Sequence, residues 1–238
     1  MRTFATLLAF ALIVGLGGCS KKTDNPAGPV NSTAPSFPTV TFKGPNTNSS
    51  DPNVSIIQGY VSLGNAYSNY FNVFAGTNAT QSGNTWTWSE TNGNESVTFS
   101  MTKQSSGSYS WKWVVNGTDQ SSGRTYNNKT FFEGTVGADG KSGEWKVYQD
   151  TTSLLAADFV WATNSSGTLS GTLSIYQDDG STVEEKYQIA NNSDGSGEVD
   201  LYSGTILVYK ATWQTNGSGT WITYDSTTGA QTGTGTWN

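Results

Sequence analysis

The side chains that carry most enzymatic chemistry are scarce in this chain. Its 238 residues include no histidine and one cysteine, Cys19. That removes Ser-His-Asp and Cys-His triads, the commonest metal ligand and the usual proton shuttle at neutral pH. A single thiol leaves no disulfide within the chain, and zinc or iron sites lose their usual ligands. Carboxylate chemistry remains. Two carboxylates across a cleft suffice for glycoside hydrolysis, and Glu133, Asp158, Glu185 and Asp200 fall in predicted strands. Their spacing selects no pair. Strand carboxylates more often face solvent or bind lysine, here Lys112, Lys146, Lys186 or Lys210. Asp178-Asp179-Gly180 and Asn192-Ser193-Asp194-Gly195 gather oxygens in tight turns, as calcium loops do. Neither has EF-hand or nonapeptide-repeat spacing, and turn geometry accounts for the residue types. Glu184-Glu185 reads as a solvated pair. The expectation is a protein that is not an enzyme and holds no metal or cofactor.

Aromatic side chains are the other resource. They make up 13% of the chain, as much as all charged residues together, so the polar surface must be built largely from Ser, Thr, Asn and Gly. Trp86, Trp88, Trp111 and Trp113 share apolar strand faces. With Tyr60, Tyr67 and Phe71 they are expected to fill a core or to line an apolar ligand site. Tyr148, Tyr176, Tyr202, Tyr209 and Tyr224 lie on later strands, where they are expected to face outward. They are the candidates for a glycan or peptide surface. The net charge of −6 argues against nucleic acid, whose binding needs Lys and Arg to neutralise phosphates. It also disfavours electrostatic attachment to anionic lipid heads.

Two periodicities position these residues. In Asp51–Gly76, Val54, Ile57, Val61, Gly64, Tyr67, Phe71 and Phe74 recur at steps of three and four, the spacing of one helical face. Asp51 suits the N-cap, Pro52 the first turn and Gly76 the C-terminal stop. From Asn84 the period becomes two, with Trp86/Trp88, Val97/Phe99/Met101 and Tyr109/Trp111/Trp113/Val115 on single faces. Further strands are predicted through Trp237, about twelve in all. Asn116-Gly117, Asp139-Gly140, Asp179-Gly180, Asp194-Gly195 and Asn216-Gly217 are hairpin dipeptides. D-G-K-S-G-E-W, D-G-S-G-E-V and N-G-S-G-T-W repeat one theme of turn, glycine and large apolar residue. Short hairpins make sequence neighbours spatial neighbours. The predicted fold is therefore mainly β: an antiparallel up-and-down meander curled into a barrel or half-barrel. Its one N-terminal α-helix packs against the concave face, and a β-sandwich is the alternative.

The chain opens with Arg2, an apolar run from Phe4 to Leu16, and Leu16-Gly17-Gly18-Cys19. The apolar run is too short for a membrane span and reads as a secretory signal. The last four residues resemble the lipobox of bacterial lipoproteins. The resemblance implies a signal peptide over 1–18, diacylglycerol on the Cys19 thiol and acylation of the new amino terminus. Ser20, rather than Asp, follows the cysteine, which by the same resemblance implies outer-membrane anchoring. Residues 19–50, rich in Pro, Ser and Asn, are expected as a disordered tether, with Phe37, Val40 and Phe42 a possible short edge strand. Residues 51–238 form the single domain. In plan it is similar to bacterial lipoprotein carriers, a curled sheet over helix. The expected function is a membrane-anchored, non-enzymatic envelope lipoprotein with a lipid or other apolar ligand in the curled sheet. The alternative is a surface-exposed glycan- or protein-binding module. An integral outer-membrane barrel is a third reading, weakened by the shortness of the strands.

Overall fold

The period-two pattern is realised as one antiparallel sheet. The computed structural model describes residues 30–69, 77–119 and 123–238. Its first strands are β1 (Val30–Thr33), β2 (Asn78–Ser82), β3 (Thr85–Asn92), β4 (Glu95–Lys103) and β5 (Tyr109–Thr118). Then come β6 (Thr125–Val136), β7 (Ser142–Tyr148), β8 (Leu155–Thr163), β9 (Leu169–Tyr176) and β10 (Val183–Asn191). β11 (Gly197–Ser203), β12 (Ile206–Trp213), β13 (Gly219–Tyr224) and β14 (Gln231–Trp237) complete the order, and helix α1 (Pro52–Ser68) lies between β1 and β2. Every strand pairs with its neighbour in sequence. The sheet is curled but not closed, and α1 packs on it over β8 and β10. The twelve predicted strands are β3 to β14. β1 and β2 read V-N-S-T and N-A-T-Q-S, which carry too few apolar residues for alternation to show.

Helix α1 starts as its sequence dictates. The Asp51 carboxylate accepts from Asn53 N at 2.8 Å, and Pro52 opens the first turn. Val54, Ile57, Val61 and Gly64 are buried along one stripe. The helix ends at Ser68, seven residues before the predicted Ala75. Asn69 stops it by turning its amide to the backbone of Val40. Phe71, Phe74 and the predicted stop at Gly76 lie outside the described residues.

Residues 30–50 do not form the expected tether, and the rest of that stretch, 19–29, lies outside the described residues. From Val30 onward the chain belongs to the folded unit, and residues 34–47 cross the concave face beside α1. Phe37, Val40 and Phe42 are buried there as coil, not as a strand. Prolines 35, 38 and 45 keep the segment from donating to a ladder. Three asparagines replace the ladder. Asn65 accepts from Phe42 N at 2.6 Å and donates to Phe42 O at 2.9 Å. Asn69 does the same for Val40, at 3.0 and 2.6 Å. Asn191, buried on β10, does it for Lys43 at 2.7 and 2.7 Å. Each primary amide thus satisfies one residue's N–H and C=O, as an antiparallel strand would.

The repeated turn theme has a physical basis. Gly140, Gly195 and Gly217 occupy left-handed positions, with φ of 69°, 91° and 88°, as such turns require. Their carbonyls accept from the indole N–H of Trp161 (3.2 Å), Trp213 (3.2 Å) and Trp237 (2.7 Å). Each indole lies on the glycine opposite it in the ladder: Gly143, Gly197 and Gly219. A Cβ at those glycines would sit 2.2–2.4 Å from an indole carbon. One tryptophan therefore caps a turn and covers a glycine, and the device recurs three times. Asn116-Gly117 corrects a prediction: it lies inside β5 at a bulge and makes no hairpin.

The acidic turns set an acid response. Asp179 accepts from the Thr182 hydroxyl and from the Thr182 and Ser181 N–H groups, which hold its carboxyl down to about 2. Asp194 and Asp225 are lowered by the same kind of bonds, from Ser196 and Thr228 respectively. A depressed carboxylate contributes above its unfolded pKa and loses that contribution as pH falls through the folded value. The Ser181 and Thr182 amide resonances should therefore stay native-like through pH 4 and shift with a midpoint near 2. Titration at pH 4 would contradict the assignment.

Candidate functional site

The concave face is filled where α1 covers it. Trp145, Phe159 and Trp161 form a stacked row, with centroids 6.0 and 5.9 Å apart. Tyr67 lies on Trp145 at 4.6 Å, and its backbone carbonyl accepts the Trp145 indole N–H at 3.1 Å. Tyr60 lies on Tyr187 at 5.3 Å. The space left between α1 and the sheet, lined by Tyr60, Leu63, Tyr67 and Tyr187 among others, is about 20 Å³. That is room for about one water molecule and none for an acyl chain. Trp111 is buried, whereas Trp86, Trp88 and Trp113 are half-buried on β3 and β5, beyond the end of α1.

The open space lies elsewhere. β6 is twelve residues long, yet its ladder to β7 covers only Phe132–Val136. Thr125–Thr130 pairs with β5 alone. Bulges at Trp113/Val114 and Val115/Gly117 turn this half of β6, and Asn128 takes φ 49°. Asn128 is the one described non-glycine residue with positive φ. The β7–β8 loop, residues 149–154, forms the opposite wall. Between them lies a cleft of about 710 Å³, within the roughly 300–1,000 Å³ of small-ligand sites.

Side chains bridge the walls of this cleft. Arg124 forms an ion pair with Asp150, which also accepts from the Tyr126 hydroxyl at 2.7 Å. The Lys129 ammonium donates to the Thr152 carbonyl, and burial lowers its pKa. The Tyr148 hydroxyl donates to Glu133. Desolvation first, and that bond second, push its pKa up to about 12. Two cations and two anions balance, and the rest of the lining is hydroxyl, amide and phenol. The arrangement presents donors and acceptors to an uncharged polar ligand, with two phenol rings for contact with its apolar faces.

The predicted strand carboxylates do not converge. Glu133 is held by Tyr148, Asp158 by Tyr176 at 2.9 Å and Glu185 by Tyr187. Asp200 takes Lys210 at 3.2 Å. Glu185 corrects the solvated-pair reading. Sharing a face with Tyr187 and Ile189, it turns toward Tyr60, while Glu184 stays exposed. Among the described residues no group of three or more His, Cys, Asp or Glu could hold a metal.

Of the predicted outward tyrosines, Tyr148, Tyr176 and Tyr202 reach the convex face. Lys186 lies over the Tyr202 ring at 4.0 Å. Tyr224 is half-exposed at the end of β13. Tyr209 is a correction. It shares the concave face with Ala211 and Trp213, is 8% exposed, and burial raises its pKa. Arg124, Tyr126, Lys129 and Asp150 were not singled out from the sequence. The available signal was Asn127-Asn128-Lys129, turn-type residues inside a strand, which marks irregular backbone. No family model matches the chain, and no curated protein is similar to it in sequence.

Proposed function

We propose that this chain is a non-enzymatic binding module of the bacterial cell envelope, lipid-anchored through Cys19, whose site is the cleft between β6 and the β7–β8 loop. The cleft carries this reading. It is a concavity of small-ligand size, and its lining is polar with balanced charge. The carboxylates in it are held by neighbouring donors, which suits binding rather than turnover. An apolar ligand between helix and sheet is the weaker reading, because about 20 Å³ remains there. The sequence resemblance at Leu16–Cys19 supports the anchor, and Ser20 after the cysteine supports the outer membrane. Ten residues lie between Cys19 and Val30, so the eleven Cα steps reach at most about 40 Å and the module stays close to the lipid surface.

A glycan and peptide array probed with the full chain tests this. Binding of uncharged polar ligands is expected, with Tyr148→Ala weakening it about tenfold, the loss of about 1.4 kcal/mol of contact. A silent array, or equal binding by Tyr148→Ala, would overturn the proposal.

A further inference from the structure

The cleft does not end at its own walls. A second, smaller hollow of about 350 Å³ lies on the convex face over β4 to β7, and Glu133 lines both. Its floor carries Ser100, Thr102, Lys112, Glu144 and Lys146. Lys112, Glu133, Lys146 and Asp158 are direct cross-strand neighbours on β5, β6, β7 and β8. Cation and anion therefore alternate at one interstrand step, ~4.8 Å. On these observations, and resting on the reading that the cleft binds a ligand, we infer that cleft and hollow form one groove for a linear uncharged glycan. The glycan runs from the cleft along β6 to Glu133 and then across β5 toward β4.

Three features select that chemistry. The first is charge. The hollow holds two lysines and two glutamates, as balanced as the cleft, so a polyanion or polycation meets as much repulsion as attraction. Sugar hydroxyls both donate and accept, and alternating ammonium and carboxylate groups serve them equally. The second is direction. The groove follows β6 from the cleft to Glu133 and then crosses β5 to β4 through the hollow, where backbone N–H and C=O groups are already spent in ladders. An extended peptide gains affinity by pairing with a strand edge. Thr125–Thr130 offers one in the cleft, but the hollow over β4 to β7 does not, so a ligand that spans both cannot be held as an added strand. The third is spacing. A pyranose ring spans about one interstrand step, so successive sugars in the hollow meet Glu133, Lys112 and Ser100 in turn. Tyr148, whose hydroxyl is fixed on Glu133, stands at the junction of the two hollows.

The test is calorimetric titration of the full chain with length ladders of uncharged linear α- and β-glucans and mannans, dimer to hexamer. Affinity is expected to rise about tenfold or more along the binding ladder. Lys112→Ala, an exposed change, is expected to weaken the hexamer about tenfold while leaving the dimer within about twofold. Dimer and hexamer binding alike, both lost in Tyr148→Ala, would overturn the extended groove and leave the cleft standing. Binding of no ladder by the wild-type chain would overturn the glycan assignment, and array binding of an uncharged peptide would then preserve the cleft reading alone.

Discussion

Replacing Trp161 with alanine is expected to destabilise the fold by about 4 kcal/mol. Trp161 is 1% exposed, stacks on Phe159, covers Gly143 and donates to the Gly140 carbonyl. Alanine leaves a cavity over a glycine that has no side chain to fill it, and a buried turn carbonyl without its donor. Trp161→Phe separates the two losses. It keeps a ring over Gly143 and loses the hydrogen bond, so its cost should fall to about 1–2 kcal/mol. Urea unfolding of the three proteins reads both numbers. Equal stability of Trp161→Ala and wild type would show that the turn caps contribute nothing.

The second large effect is expected at α1. Val61 is 4% exposed on the stripe that faces the sheet. Val61→Asp puts a carboxylate among apolar side chains, and whether it stays charged or takes a proton, the cost is at least about 4 kcal/mol. That is a large part of the ~5–15 kcal/mol that holds a domain together. Loss of the cooperative thermal transition is expected by circular dichroism, whereas Ser62→Asp on the exposed face should melt like wild type. Unchanged melting of Val61→Asp would make the helix peripheral.

β3 to β14 could be read from the sequence because most have their own alternation and are bounded by turn residues. What escaped depended on distant partners. Residues 34–47 resemble a linker in composition, and partners distant in sequence make them part of the core: amides from Asn65, Asn69 and Asn191, and the apolar surface that buries Phe37, Val40 and Phe42. Tyr209 lies on the face opposite to expectation because Ile206, Leu207, Val208 and Tyr209 are consecutive apolar residues, which leave the strand's parity open. The register against β11 and β13 decides it. Asn116-Gly117 has the composition of a hairpin, yet the β5 ladders continue past it and turn it into a bulge. The cleft escaped for the same reason. It exists because the β6–β7 ladder stops at Phe132, and no local pattern announces where a ladder stops.

Amide chemical-shift mapping of the full chain with a bound neutral oligosaccharide tests the central claim most directly. The account predicts shifts at Thr125–Thr130, Tyr148 and Thr151, with Tyr60, Leu63 and Tyr187 unmoved. Shifts centred on Tyr60, Leu63 and Tyr187 would place the ligand between helix and sheet and contradict it.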